Sequence, residues 1–329
     1  APAAVVAWRT MLGRRAFLCG LGLLLACSKR GAIEPTVPPR SLDIDGDVLA
    51  LFPSGPLVLA NVDAKAFYAS GLLASDLGKL TETLLPVGDE VGLVPSRDID
   101  RVVIAAYSTQ GADVTTVLRG RFEPDKIERA ARSHTMMQVG SPLVASSYGD
   151  RTVYTVANVG FSVLSAKTVV AGTETSIRRV LDRVQDGRGG RDSAPWMYET
   201  LETKGAAFAL AADFTSQPVA SIAVGSVSLP FLKGMRLARV IGNFADRDSA
   251  AGIQIAATLT YGGPEEASEA ADGIRSVDRW TRMVGSVLQF VPQVQGLEVS
   301  TDKNDLRAKC FLDEKALRGA MKAIPGFRS

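Results

Sequence analysis

One histidine limits the catalytic chemistry that this chain can perform. His134 is the only histidine in 329 residues, so a Ser-His-Asp triad, a Cys-His pair or a multi-histidine metal site would have to depend on it. Two stretches of the chain resemble each other at an offset of 140 residues, which aligns His134 with Ile274. Because an aliphatic residue occupies the corresponding helical position, we expect His134 to lie at a helix end or at the core margin.

A second reactive residue type gives a similar result. Cys310 lies in the stretch LRAKCFL, where Leu306, Ala308, Cys310 and Leu312 alternate with more polar residues. This period of two predicts a half-buried strand. The same offset aligns Cys310 with Val170, and an inward-facing cysteine behaves as a small hydrophobic residue. We therefore interpret Cys310 as part of the packing and not as a nucleophile.

Several carboxylates stand at positions where they could take part in acid-base catalysis or bind a metal ion. Asp63 and Asp213 each follow a short apolar strand, and paired carboxylates can share proton transfer. Aspartate after a strand, however, commonly caps a turn or a helix, and we expect capping here. Glu265 and Glu266 fall in the first turn of a predicted helix, where negative charge suits the helix dipole. The sequence thus predicts no catalytic residue, no cofactor-binding residue and no metal ligand.

Three further stretches have alternative interpretations. The stretch DGRGGRD at 186–192 could cradle a phosphate with backbone N–H groups, but no P-loop pattern surrounds it, so we interpret it as a linker. The apolar stretch Pro218–Met235 could be buried between the two units or face a partner or a lipid, and we favour burial. The stretch Asp278–Val291 could pack in the core or form a groove for a partner, and we favour core packing.

The internal resemblance predicts a duplicated architecture. Pro124, Ala130 and Ala131 recur as Pro264, Ala270 and Ala271. The predicted organisation is a first α+β repeat at 45–185, a Gly-rich linker at 186–194 and a second α+β repeat at 195–329. Short connections between consecutive strands indicate antiparallel pairing. The predicted fold class is therefore α+β, with two related units that each have an antiparallel sheet and helices packed on one face.

The N-terminal stretch GRRAFLCGLGLLLACSKR is typical of an export signal. Its apolar run from Ala16 to Ala26 has eleven residues, whereas a membrane-spanning helix needs about 20. Two arginines directly before such a run form the charged region of a signal peptide. Residues 1–26 are the predicted signal, and Met11 is the expected start of translation. An ordinary cleaved signal and an uncleaved hydrophobic N-terminus are the alternatives.

Leu24-Leu25-Ala26-Cys27 resembles the lipobox of bacterial lipoproteins. This resemblance implies cleavage before Cys27 and attachment of lipid to it, with acyl chains such as palmitate. Arg14-Arg15, followed by Ala-Phe-Leu, resembles a twin-arginine signal, so this route and the general secretion route both remain open. Ser28 after the cysteine resembles lipoproteins that are sorted to the outer membrane.

The composition of the processed chain excludes some partners. Removal of residues 1–26 takes away three arginines and no acidic residue, so 37 basic residues become 34 against 35 acidic ones. A nearly neutral chain without a basic stripe does not favour nucleic acid as a partner. Residues 27–44 contain three prolines and mixed charge, which is typical of an extended tether.

These patterns predict the cellular location of the protein more clearly than its activity. The chain is expected to be a lipid-anchored protein of the bacterial cell envelope, at the outer membrane and facing the periplasm. Its globular part resembles uncharacterised, duplicated envelope lipoproteins. We expect a non-catalytic binding or scaffolding module without a cofactor, with envelope proteins or a hydrophobic ligand as partners besides the membrane. The alternatives are an envelope hydrolase that uses carboxylates in an inter-repeat cleft, and handling of lipid or hydrophobic cargo.

Overall fold

The computed structural model describes residues 42–74, 78, 81, 85–109, 113–219, 222–224, 227–285 and 294–322, with the backbone alone at 222–224, 227–230, 280–285 and 320–322. These described residues all belong to one compact unit. Among the described residues, no helix has both the length and the apolar character needed to cross a membrane.

The described part of the chain contains fourteen strands and seven α-helices. The strands are β1 (Val58–Val62), β2 (Ile99–Ala106), β3 (Val114–Gly120), β4 (Val144–Tyr148), β5 (Arg151–Val156), β6 (Val159–Ser165), β7 (Thr168–Gly172), β8 (Phe208–Asp213), β9 (Ile222–Val224), β10 (Val227–Leu229), β11 (Leu237–Arg247), β12 (Ala250–Thr260), β13 (Gln295–Asp302) and β14 (Asp305–Asp313). The helices are α1 (Ala64–Ser70), α2 (Pro95–Asp98), α3 (Pro124–Arg132), α4 (Glu174–Gln185), α5 (Pro195–Leu201), α6 (Pro264–Gly285) and α7 (Glu314–Lys322). Short 3-10 helices cover Val48–Leu51, Asp89–Val91 and Pro230–Leu232.

Twelve of these strands form a single antiparallel sheet. Its order is β13-β14-β12-β11-β8-β1-β2-β3-β7-β6-β5-β4, and β9 and β10 pair separately. The predicted α+β class is confirmed. The two stretches expected to form separate sheets instead share this one, because β1 pairs with β8 through five residue pairs, from Val58 with Ala212 to Val62 with Phe208.

The two halves of the sheet have the same strand order outward from this central pair. The order is β1-β2-β3-β7-β6 on one side and β8-β11-β12-β14-β13 on the other. The β4–β5 hairpin extends the first half only, as far as the described residues show. This shared order agrees with the predicted repeat but does not establish a duplication, which stays a prediction.

Helices cover both faces of the sheet, not the single face that was predicted. Ile127 of α3 packs in the same apolar cluster as Val102, whereas Ile177 of α4 packs with Val103, the next residue along β2. Because successive strand residues point to opposite faces, α3 and α4 lie on opposite sides. A run such as Thr-Val-Val-Ala in β7, buried throughout, is typical of a strand that is covered on both faces.

Local sequence patterns explain where the elements begin and end. Pro124 starts α3 at a position where a missing N–H costs nothing. Thr173 caps α4, and its side chain accepts a hydrogen bond from the Ser176 N–H. Gly149 and Asp150 turn the chain between β4 and β5. In α6, the small residues Ala267, Ala270 and Ala271 are buried, which allows the helix to pack closely.

Candidate functional site

The predicted anchor and export residues lie outside the described part of the chain. Cys27, Arg14 and Arg15 belong to this group, as do the signal at 1–26 and most of the tether at 27–44. The lipid anchor therefore stays a prediction.

The residues weighed for chemistry occupy separate structural positions. His134 is exposed just after α3, with a φ of 47°, and its N–H donates to the Ala131 carbonyl. Cys310 is a half-buried free cysteine on β14 beside Ile255 of β12. Burial, and then the charge of Asp278, raises the pKa of the Cys310 thiol, which lowers its thiolate fraction near neutral pH.

The two strand-end aspartates cannot act as a pair. Asp63 caps α1 by accepting a hydrogen bond from the Ala66 N–H at 2.8 Å, and Asp213 accepts one from the Thr215 N–H at 3.0 Å. Asp63 follows β1 and Asp213 is the last residue of β8. Because β1 and β8 pair antiparallel, the two aspartates lie at opposite ends of the central strand pair. Six residues of extended chain place them about 20 Å apart. Glu266 likewise caps the start of α6 through the Gly262 N–H.

The two apolar stretches are only partly described. At the ends of Pro218–Met235, Val219 and Met235 are buried in the core that α6 covers, and Phe231 packs against the same core. The Tyr261 hydroxyl donates to the Phe231 carbonyl at 2.5 Å. Of Asp278–Val291, residues 286–291 lie outside the described part, and the Trp280 side chain is not described.

The stretch 186–192, which we interpreted as a linker, lines a cavity with several charged side chains. This cavity, the joint pocket, has a volume of about 430 Å³ and is lined by Arg179, Asp182, Arg183, Arg188, Asp192, the Gly189–Gly190 backbone and Pro53–Ser54. Small-ligand sites in proteins commonly range from about 300 to 1,000 Å³. Each of the three arginines pairs with an aspartate: Arg179 with Asp113, Arg183 with Asp192 and Arg188 with Asp186. The arginines therefore offer hydrogen-bond donors to the pocket without a surplus of positive charge.

Helix α4 supplies one wall of the joint pocket. Ile177, Val180 and Leu181 pack on the sheet, so the helix directs Arg179, Asp182 and Arg183 away from it at a spacing of three and four residues. Arg183 is nearly buried, with 6% of its side chain exposed. Its Nε donates to the Ala50 carbonyl at 2.7 Å, its Nη1 to Asp192 at 2.6 Å and its Nη2 to the Gly190 carbonyl. Arg183 therefore fixes the Gly-rich loop over the pocket.

Arg179 lies one turn before Arg183 on the same helix and has a spare hydrogen-bond donor. Its guanidinium lies 4.7 Å from the centroid of the Tyr107 ring, and its Nη2 donates to Asp113. The Tyr107 hydroxyl donates to the Pro53 carbonyl at 3.0 Å, and burial raises the Tyr107 pKa. Arg179 Nε is buried without a hydrogen-bond partner in the described structure. A buried N–H of this kind is costly unless it is satisfied.

The remaining charged residues fix the ends of the Gly-rich stretch 186–192, which we call the joint. Arg191 donates to Asp47 at 2.8 Å and to Glu202 at 2.6 Å, and these hydrogen bonds raise the pKa of its guanidinium. Arg191 thus ties this stretch to the start of the 3-10 helix Val48–Leu51, which Asp47 caps, and to the end of α5. Asp182 accepts a hydrogen bond from the Tyr148 hydroxyl at 2.8 Å. Among the described residues, no group of three or more His, Cys, Asp or Glu residues is placed to hold a metal ion.

Comparisons with known proteins add little to this site. Searches against family models and curated proteins found no match to the chain. Among solved structures, crystal form III of TP0453 aligns with a TM-score of 0.49 and 11% identity over 84% of this chain and 98% of that chain. Crystal form I of TP0453 aligns with a TM-score of 0.47, 11% identity and coverage of 84% and 97%. At these values, the similarity says nothing about function.

Proposed function

We propose that this chain is a lipid-anchored protein of the bacterial cell envelope, at the outer membrane and facing the periplasm, that binds a small anion in the joint pocket. The ligand class is a phosphate or carboxylate. The observation that carries this proposal is the grouping of three guanidinium groups around a cavity of about 430 Å³, with the Arg179 Nε donor unpaired. Guanidinium groups match the geometry of phosphate and carboxylate oxygens and bind them with charge-assisted hydrogen bonds.

The state of the pocket carboxylates supports binding over hydrolysis. Asp192 is paired with Arg183, and Asp182 accepts a hydrogen bond from Tyr148. A general acid or base needs a carboxyl group that is free to exchange a proton with its substrate. Both aspartates instead hold neighbouring side chains, which suits a site that orients an anion.

Calorimetric titration tests the anion site. The mature chain is titrated with inorganic phosphate and with citrate at low ionic strength, where screening is weak. We expect both anions, or one of them, to bind, and Arg188→Gln to weaken binding about tenfold because one charge-assisted contact is lost. Arg188 is half exposed, and its ion pair with Asp186 lies at the surface, so this substitution should leave the fold intact.

The matched control removes the same charge next to the pocket. Arg178 neighbours Arg179 on α4 but pairs with Glu174 and does not line the cavity. Arg178→Gln should leave the affinity unchanged within about twofold. Equal weakening by both variants would indicate nonspecific attraction, and the absence of binding by either anion would refute the site. Release of a product from a phosphate monoester would favour the hydrolase alternative.

A further inference from the structure

The exposed large hydrophobic residues of the described side chains are concentrated in one segment. They are Met136, Val139 and Val144, with 57%, 52% and 43% of their surface exposed. All three lie within nine residues of one another, between α3 and the first residue of β4. We name residues 135–144 the apolar loop. Scattered exposed apolar residues need no explanation, but a group of them marks a contact surface.

The apolar loop is held in place and is not simply unfolded. Met137 and Leu143 are buried beneath it. The Met137 N–H donates to the Ser141 carbonyl and the Leu143 N–H to the Thr135 carbonyl, both at 3.0 Å. The Gln138 N–H donates to the Glu90 carboxylate at 2.5 Å. Met136 and Val139 therefore point outward from a loop whose inward residues anchor it in the core.

Charged residues of both signs surround the apolar loop. The basic residues that precede it in the chain favour contact with an anionic surface. From Arg129 to Gly149 there is no acidic residue. Arg129, Arg132 and His134 are exposed before the loop, and Arg132 pairs with Glu128 one turn earlier in α3. Asp89 and Glu90 lie on the other side, where Glu90 is engaged with the Gln138 and Gly88 N–H groups. Basic residues beside an exposed apolar tip are typical of segments that contact anionic bilayers.

The apolar area is too small for a stable protein partner. Three partly exposed side chains offer on the order of a few hundred Å², whereas a stable protein interface buries about 800 Å² on each partner. A bilayer needs no matching shape. A chain already tethered by lipid has a high effective concentration at the surface, so even a weak contact becomes populated.

We propose that the apolar loop inserts Met136 and Val139 into the interfacial region of the bilayer to which the chain is anchored. The loop thereby orients the globular part on the membrane. This inference rests on the proposed lipid anchor. It assigns a bilayer surface, and not a second copy or another protein, as the occupant of the loop.

The first experiment measures the depth of the loop in the anchored protein. Val139→Cys in a Cys310→Ala background is labelled with an environment-sensitive fluorophore, and the lipidated chain is reconstituted into phosphatidylethanolamine and phosphatidylglycerol vesicles. The label should shift to shorter wavelength and be quenched by brominated acyl chains. Ser300→Cys on β13, at the opposite edge of the sheet, is the control and should stay in water. Identical signals from the two positions would refute the insertion.

The second experiment is independent of the anchor. The mature chain with Cys27→Ser is floated with phosphatidylcholine vesicles with and without phosphatidylglycerol, at a lipid concentration high enough to populate the weak contact of a chain that has no anchor. Wild-type loop residues should support binding, and the double variant Met136→Ser, Val139→Ser should reduce it roughly tenfold. Ala256→Ser, an exposed apolar position on β12, should have no effect. Equal binding of the loop variant and wild type, or no binding at all, would overturn the proposal.

The outcomes separate this proposal from the proposed anchor. Mass spectrometry that finds no lipid on Cys27 of the native protein would refute the anchor, while flotation would still decide whether the loop contacts a bilayer. A dimer in sedimentation analysis that the double variant abolishes would assign the loop to a second copy and overturn the bilayer assignment.

Discussion

Asp98 shows how a single buried carboxylate can be structural. Its side chain is 7% exposed, and it accepts hydrogen bonds from Arg97 Nε at 2.7 Å, Arg97 Nη2 at 2.6 Å and the Val94 N–H at 2.8 Å. The hydrogen bonds from Arg97 are the main cause of the lowered pKa of Asp98. Burial acts in the opposite direction, and the hydrogen bond from the Val94 N–H lowers the pKa further. The charged form is therefore the stabilising one.

This linkage predicts a pH-dependent effect of Asp98→Asn. A carboxyl group with a lowered pKa in the folded state stabilises the protein above its unfolded pKa of about 3.9 and loses that effect as the pH falls through the folded pKa. The substitution should cost about 1–2 kcal/mol of unfolding free energy at pH 7 and progressively less below about pH 4. Urea unfolding at a series of pH values measures this, with exposed Asp100→Asn as the control. A cost that does not change with pH would contradict the linkage.

At the same scale, the sequence correctly predicted capping by Asp63 and Asp213 because a cap is a contact between residues two or three positions apart. It missed Arg179 and Arg183. Their partners Asp113 and Ala50 lie 66 and 133 residues away along the chain, and no local pattern distinguishes them from other arginines on an exposed helix face. The stretch DGRGGRD was the one feature of the sequence that pointed to this pocket, and we interpreted it as a linker.

Strands β2 and β3 illustrate how an element depends on a close backbone approach. Gly120 ends β3 opposite Ile99, where the register shifts before Arg101. The Asp98 carbonyl accepts a hydrogen bond from the Arg121 N–H at 2.7 Å. A Cβ atom at Gly120 would overlap this carbonyl oxygen. Because the oxygen belongs to the backbone, a side-chain rotation cannot relieve the overlap.

Gly120→Ala is therefore expected to destabilise the protein by about 2–3 kcal/mol, the usual cost of overpacking. Thermal and urea unfolding give the value. Gly263→Ala serves as the comparison because a Cβ there meets nothing within 4 Å, and it should change stability by less than about 0.5 kcal/mol. Similar stabilities for the two variants would show that the β2–β3 end can shift to make room.

Strand and helix order was predictable from the sequence, whereas the placement of helices was not. Turn residues and periodicity are sufficient to locate the β4–β5 and β6–β7 hairpins and α4, because these features are local. The face on which a helix packs depends on contacts with distant strands. Continuous apolar runs in β2 and β7 carried the relevant signal, since a strand buried on both faces has no polar side.

Several contacts join the two halves of the described structure. One is the pairing of β1 with β8. Another is an edge-to-face contact of Phe67 in α1 with Phe244 in β11, whose ring centroids are 4.9 Å apart. Arg191 adds ion pairs to Asp47 and Glu202. Together these contacts make the stability of each half depend on the other.

This coupling predicts a single cooperative unfolding transition. Calorimetric and van't Hoff enthalpies of the mature chain should agree, and fluorescence and circular dichroism should report the same midpoint. Phe244→Ala should lower that midpoint for both probes together, because it removes part of the shared core. Two separate transitions would instead support the predicted repeats as independent domains joined by a linker.

The sequence by itself determined the α+β class, the order of the elements and the residues that cap them, because periodicity and turn chemistry act over a few neighbouring positions. It also predicted the lipid anchor through a four-residue motif. Only the tertiary structure decided that the halves share one sheet, that the joint forms an arginine-lined pocket and that Met136 and Val139 stay exposed. These features depend on residues that are far apart in the chain and meet only when the sheet forms. No local pattern could therefore specify them.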